Sequence, residues 1–108
     1  MNGSFEIREF TENDRSSYRD WFEGLDHVAA LRVQRYIRRL EAGNFGAVKA
    51  LQEGVFEVRM DFGPGYRVYF GRHDRTIIIL LGGGSKRRQD ADIAAAVERW
   101  KRFKQTRT

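Results

Sequence analysis

The sequence contains no cysteine, which excludes a disulfide framework and every thiolate metal site. Histidine is nearly as scarce. The two present, His27 and His73, have no carboxylate or cysteine partner at ligand spacing, so neither a metal nor a cofactor is expected. Proline occurs once, as Pro64 inside Gly-Pro-Gly, and no linker, internal repeat or low-complexity tract divides the chain. Long apolar runs are missing too. The longest, Ile77 to Leu81, falls far short of the roughly 20 residues a membrane span requires. The first residues carry no basic segment followed by an apolar stretch of the kind a secretory leader needs. The expectation is one domain over residues 1–108, cytoplasmic, with no membrane partner.

Charge of one sign is unevenly spread. The 108 residues carry a formal charge of +5, a balance that favours an anionic partner without naming it. Residues 1–84 hold 12 Lys/Arg against 12 Asp/Glu, whereas residues 85–108 hold 8 against 3. The last quarter supplies the whole excess, and a solvated basic helix would account for it as well as a binding surface would.

Apolar periodicity predicts the elements. Ser4 to Phe10 reads as a short strand running into a helix capped by Thr11, with Asp14 three residues on, and that helix ends near Gly24. Asp26 caps a second helix whose stripe Ala29, Ala30, Val33, Ile37 and Leu40 repeats at three- and four-residue steps and stops at Gly43. Its opposite face carries Arg32, Arg35, Arg38 and Arg39. From Gly54 the period changes to two. Residues 55–62 and 66–71 form two strands about the Gly63-Pro64-Gly65 turn, and Arg72 to Arg75 turns into the run Thr76 to Leu81, apolar on both faces as a central strand is. After Gly82-Gly83-Gly84 a last helix begins near Gln89, with Ile93, Ala96, Val97, Trp100 and Phe103 inward. The predicted order is β-α-α-β-β-β-α. This is an α+β fold with a mostly antiparallel four-stranded sheet, two N-terminal helices and one C-terminal helix, all on one sheet face.

Strand alternation then groups the polar residues. Phe56, Val58, Met60, Tyr66, Val68 and Phe70 belong to the helix-covered side, which leaves Glu57, Arg59, Arg67 and Tyr69 on the open one. The glycine triplet brings Lys86, Arg87 and Arg88 beside them. Arginine offers a planar fork to phosphate oxygens and tyrosine a stacking ring for a base, so this grouping suits a phosphodiester and, by preference, single-stranded RNA. Taken singly, Arg59 is equally well explained by an ion pair with Glu57 or Asp61, and Tyr69 by an amphipathic cover over the sheet. Two motif-like strings fail. Asp61-Phe62-Gly63 lacks the rest of a kinase, and Gly82-Gly83-Gly84-Ser85-Lys86 lacks the order and spacing of a phosphate-binding loop.

Four blocks in order carry a resemblance: Leu51 to Arg59, Gly63 to Phe70, Leu80 to Lys86, and Gln89 to Ile93, with Gly43-Asn44-Phe45-Gly46 through Lys49 upstream. This pattern resembles the phage-derived addiction-module killer branch of the RelE/ParE superfamily, close to HigB-type toxins. The resemblance implies a RelE-like fold and a toxin of a type II toxin–antitoxin system. Its activity would be that of a metal-independent endoribonuclease cutting mRNA on the ribosome, held inactive by a cognate antitoxin, usually a helix-turn-helix protein. Arg59, Arg67, Tyr69 and Lys86 fall on the matching positions and are the expected catalytic residues, with Lys49, Arg87 and Arg88 as RNA-binding ones. Arg87 and Arg88 stand where similar proteins often show small polar residues, and no histidine falls where some relatives use one. Cleavage by 2′-hydroxyl attack needs a base, an acid and cations for the pentavalent transition state. Arg59 and Arg67 are cast as clamps and Lys86 as the proton-transfer group, with Tyr69 as alternative base or stacking platform. Two other functions fit the same fold or charge: a ParE-like poison of DNA gyrase, and a nucleic-acid-binding module without catalysis.

Overall fold

The computed structural model describes residues 4–106. In chain order it has β1 (Glu6–Glu9), β2 (Thr11–Glu12), β3 (Arg15–Ser16), α1 (Ser17–Glu23), α2 (His27–Glu41), β4 (Val48–Ala50), β5 (Val55–Arg59), β6 (Arg67–His73), β7 (Ile77–Gly84), a 3₁₀ turn (Lys86–Arg88) and α3 (Gln89–Gln105). The main sheet runs β1-β7-β6-β5-β4. Among the described residues only β1 and β7 pair in parallel, and the other neighbours are antiparallel. The α+β class stands, but the sheet has five strands rather than four. The extra one, β4, is three residues long with polar and apolar side chains mixed, too short for its period to register.

The first helix also begins later than its sequence suggests. Thr11 does not cap it. Thr11 and Glu12 instead pair with Ser16 and Arg15 as a small hairpin, because Asn13 and Asp14 both take positive φ, 52° and 62°, the geometry of a two-residue turn that suits the strand twist. Ser16 is the cap, its hydroxyl accepting the Arg19 amide at 2.9 Å. Asp26 caps α2 as its sequence predicts, accepting the Ala29 amide at 2.9 Å.

Two apolar clusters sandwich the sheet. On one face Val58, Met60, Val68, Phe70, Ile78 and Leu80 pack with Tyr18 of α1 and with Val33 and Leu40 of α2. On the other, Val55, Tyr69, Ile79 and Leu81 pack with Ala96, Val97, Trp100 and Phe103 of α3. The helices therefore lie on both faces, not on one. The cause lies in β7, whose continuous apolar run needs cover on each side, and in Gly71, where even a Cβ would lie 2.5 Å from the Trp100 ring. That bare strand position lets α3 sit flat against β6.

Candidate nucleic-acid interface

The placement of α3 decides what the polar residues of β5 and β6 can reach. Register sets Glu57 opposite Tyr69 and Arg59 opposite Arg67, and Arg67 in turn opposite Gly84 of β7. All four side chains share the α3 face, at the end where the apolar packing gives out. Tyr69 is fully enclosed and Glu57 likewise, while Arg67 retains 5% of its exposure. The open hollow expected around Arg59, Arg67, Tyr69 and Lys86 is thus half closed. Arg67 and Tyr69 lie beneath the start of α3, and Arg59 and Lys86 remain in solvent.

Glu57 organises the closed half. Its carboxylate lies 3.4 Å from Arg67 Nε and 3.6 Å from Arg59 Nη2, and it accepts a hydrogen bond from Gln89 Nε2 at 3.1 Å. Arg67 Nη1 also donates to the Gly65 carbonyl at 2.7 Å. The network is incomplete: Glu57 Oε1, Arg67 Nε and the Tyr69 hydroxyl are buried without a hydrogen-bond partner. Burial pushes the Tyr69 hydroxyl pKa up, and the nearby negative charges of Glu57 and Asp92 push it the same way. Sealed and reluctant to ionise, Tyr69 is poorly placed to take a proton or to stack a base. Asp92, in the first turn of α3, packs its carboxylate where a Cβ on Gly84 would stand. Burial raises its pKa, against the pull of Arg88 and Arg99.

The exposed half is cationic. Lys49, Arg59, Lys86, Arg87 and Arg88 are all solvent-facing. Lys86 to Ala91 line a shallow hollow of about 530 Å³, and on the far side of the sealed pair Lys49 and Arg59 line a groove of about 550 Å³. Arg67 joins the two flanks. Its partner across the strands is Arg59, and both its guanidinium and the Lys86 side chain crowd the space above Gly65. Gln89 and Asp92 went unrecognised in the sequence as parts of this site, although both fall in the Gln89 to Ile93 block of the resemblance, just past the glycine triplet. Among the described residues no His/Cys/Asp/Glu group is arranged to hold a metal, and no helix is long and apolar enough to cross a membrane.

The architecture matches a chain in the crystal structure of the toxin–antitoxin complex RelBE2 from Mycobacterium tuberculosis, with a TM-score of 0.51 and 16% identity over 80% of this chain and 95% of that one. The fold is RelE-like. The chain belongs to the same family as an uncharacterized protein of Haemophilus influenzae, 41% identical over 81 residues that span 74% of this chain and 82% of the relative. No family model matches the sequence.

Proposed function

We propose that this chain is the toxin of a type II toxin–antitoxin pair, of the HigB-like branch, and that it cleaves mRNA on the ribosome in the cytoplasm. The observation that carries the reading is the row of exposed cations, Lys49, Arg59, Lys86, Arg87 and Arg88, bordering one end of the sheet in a RelE-like fold. Five cations around two separate hollows offer an RNA backbone several phosphate contacts. The 2′-oxygen attacks the adjacent phosphorus, the bond to the 5′-oxygen breaks, and a 2′,3′-cyclic phosphate and a free 5′-hydroxyl result. One proton leaves the 2′-hydroxyl and one reaches the departing 5′-oxygen. Arg59 faces solvent and clamps the pentavalent phosphate. Lys86, whose side chain stands with the Arg67 guanidinium over Gly65, handles the proton. Arg67 holds Arg59 and Glu57 in register and adds its positive charge from behind. Lys49, Arg87 and Arg88 grip the flanking strand, and a cognate helix-turn-helix antitoxin covers the surface in the resting cell.

The test is mRNA cleavage in a translating extract. Lys86→Ala and Arg59→Ala should each slow cutting by about 100-fold or more, as loss of a charge-stabilising or proton-transfer group does, whereas Tyr69→Phe should cut as the parent chain does. Undiminished cutting by both alanine variants would sink the assignment. The enclosure of Arg67 and Tyr69 favours a second reading, a ParE-like poison of DNA gyrase, which needs no phosphate-cutting residues. Inhibited supercoiling with intact mRNA would establish it. RNA retained but never cut would leave a binding module without catalysis.

A further inference from the structure

The groove beside Arg59 has features that a cleavage centre does not need. It is walled by the C-terminal half of α2, the loop into β4 and the end of β5, and its polar lining is Tyr36, Arg39, Asn44, Lys49, Arg59 and Asp61. Three cations face one carboxylate. Among the described residues neither Arg39 nor Lys49 has an ion-pair partner. Arg39 is instead carried on an aromatic ring, its guanidinium carbon 4.6 Å from the centre of Tyr36, and Tyr36 is itself tied to the Asp61 amide by its hydroxyl at 3.4 Å. Asn44 uses its carboxamide oxygen to accept the Gly46 amide at 3.0 Å, which leaves the amide nitrogen as a donor. A guanidinium held against a ring is pre-organised, and the side of its plane away from that ring can take a base.

Three cations, one of them held over an aromatic ring, and a side-chain amide within about 550 Å³ suit one nucleotide, well inside the roughly 300–1,000 Å³ usual for small-ligand sites. We propose that this groove is a second nucleotide subsite for single-stranded RNA, one that draws the strand from Arg59 away from Lys86 and onto the α2 surface. The claim rests on the RNA reading above and adds to it where the strand leaves the centre and what holds it there. Lys49 and Arg59 meet its phosphate, Arg39 stacks its base, and Asn44 donates to the base edge.

The experiment measures binding of the full-length chain to a trinucleotide and to an octanucleotide RNA by fluorescence anisotropy across a salt series. Arg39→Ala is at an exposed position and should fold. The parent chain should hold the longer RNA more tightly, and Arg39→Ala should lose roughly five- to tenfold on the octamer and little on the trimer, with the salt slope nearly unchanged, whereas Lys49→Ala should make the slope shallower by about 0.7. Arg39→Lys should bind the octamer little better than Arg39→Ala, because it restores charge without a stacking plane. Equal binding of octamer by parent and Arg39→Ala overturns the subsite and leaves the RNA reading intact. If the parent chain binds neither RNA, both fall. A loss seen with polyglutamate and not with RNA would overturn the subsite in favour of a protein-facing surface.

Discussion

The two faces of the sheet are built from the same strands yet differ in kind. Under α1 and α2 the strands present Val58, Met60, Val68, Phe70, Ile78 and Leu80 in an unbroken apolar patch. Under α3 the apolar contribution stops at Val55, Tyr69, Ile79 and Leu81, and the next positions along the same strands are Glu57, Arg59 and Arg67. The first face derives its stability from the removal of apolar surface from water. The second buries charge beside that surface, and buried charge gives stability only while each member keeps its mate. A fold that places its least forgiving interactions at one end of one face has a rigid half and a half whose arrangement depends on a few contacts at the start of α3.

Breaking the apolar face should give the largest loss. Phe70 is fully buried and stacks on Phe56 with ring centres 5.4 Å apart, so Phe70→Ala should cost about 3–5 kcal/mol in urea denaturation. The charged face should respond differently. Glu57→Leu alone leaves Arg67 buried without its partner and should cost about 3 kcal/mol. Adding Arg67→Met should restore most of that, since a buried pair replaced by apolar groups is often neutral or better. A double variant as unstable as the single one would mean that the pair contributes net stability and that the contrast between the faces is false.

The smallest effect concerns Asp92 and has a defined sign. Its folded-state pKa is raised, so the folded chain holds that proton more tightly than the unfolded one. Asp92 therefore lowers stability as pH climbs from the ordinary aspartate range through the raised value, and the loss persists at neutral pH. Because the side chain is only partly buried, solvent screening keeps the effect small. Asp92→Asn should raise the melting temperature slightly at pH 7 and leave it unchanged in acid below both values. A variant less stable at neutral pH would show that the carboxylate is stabilised there, by Arg88, Arg99 or the α3 N-terminus.

Much of this molecule was legible residue by residue. The cap at Asp26, the stripe of α2, the alternation through residues 55–71 and the buried run of β7 are local patterns, and each element appears near where its period put it, though β5 stops at Arg59, β6 runs on to His73 and β7 runs on through Gly84. The exposure of Arg59 and of Lys86 to Arg88 was legible too, because Arg59 ends a short strand and Lys86 to Arg88 follow the glycine-rich end of β7, whereas Lys49, on the unrecognised β4, was reached only through the resemblance. The hairpin at Asn13-Asp14 was readable in principle, since that dipeptide tolerates positive φ, but the Thr11 cap pattern competed with it. The groove over Tyr36 joins residues from α2, the β4 loop and β5, and no window of sequence contains it.

What the amino-acid order settled by itself is which residues alternate and where α2 is capped, since those depend on backbone sterics and the period of apolar side chains over a few neighbours. Which sheet face α3 would cover was settled only in three dimensions, where Gly71 admits Trp100 and the two-sided apolar run of β7 requires a second layer. That single packing choice, made between residues some 30 positions apart, enclosed Tyr69 and Arg67 and left Arg59 and Lys86 in water.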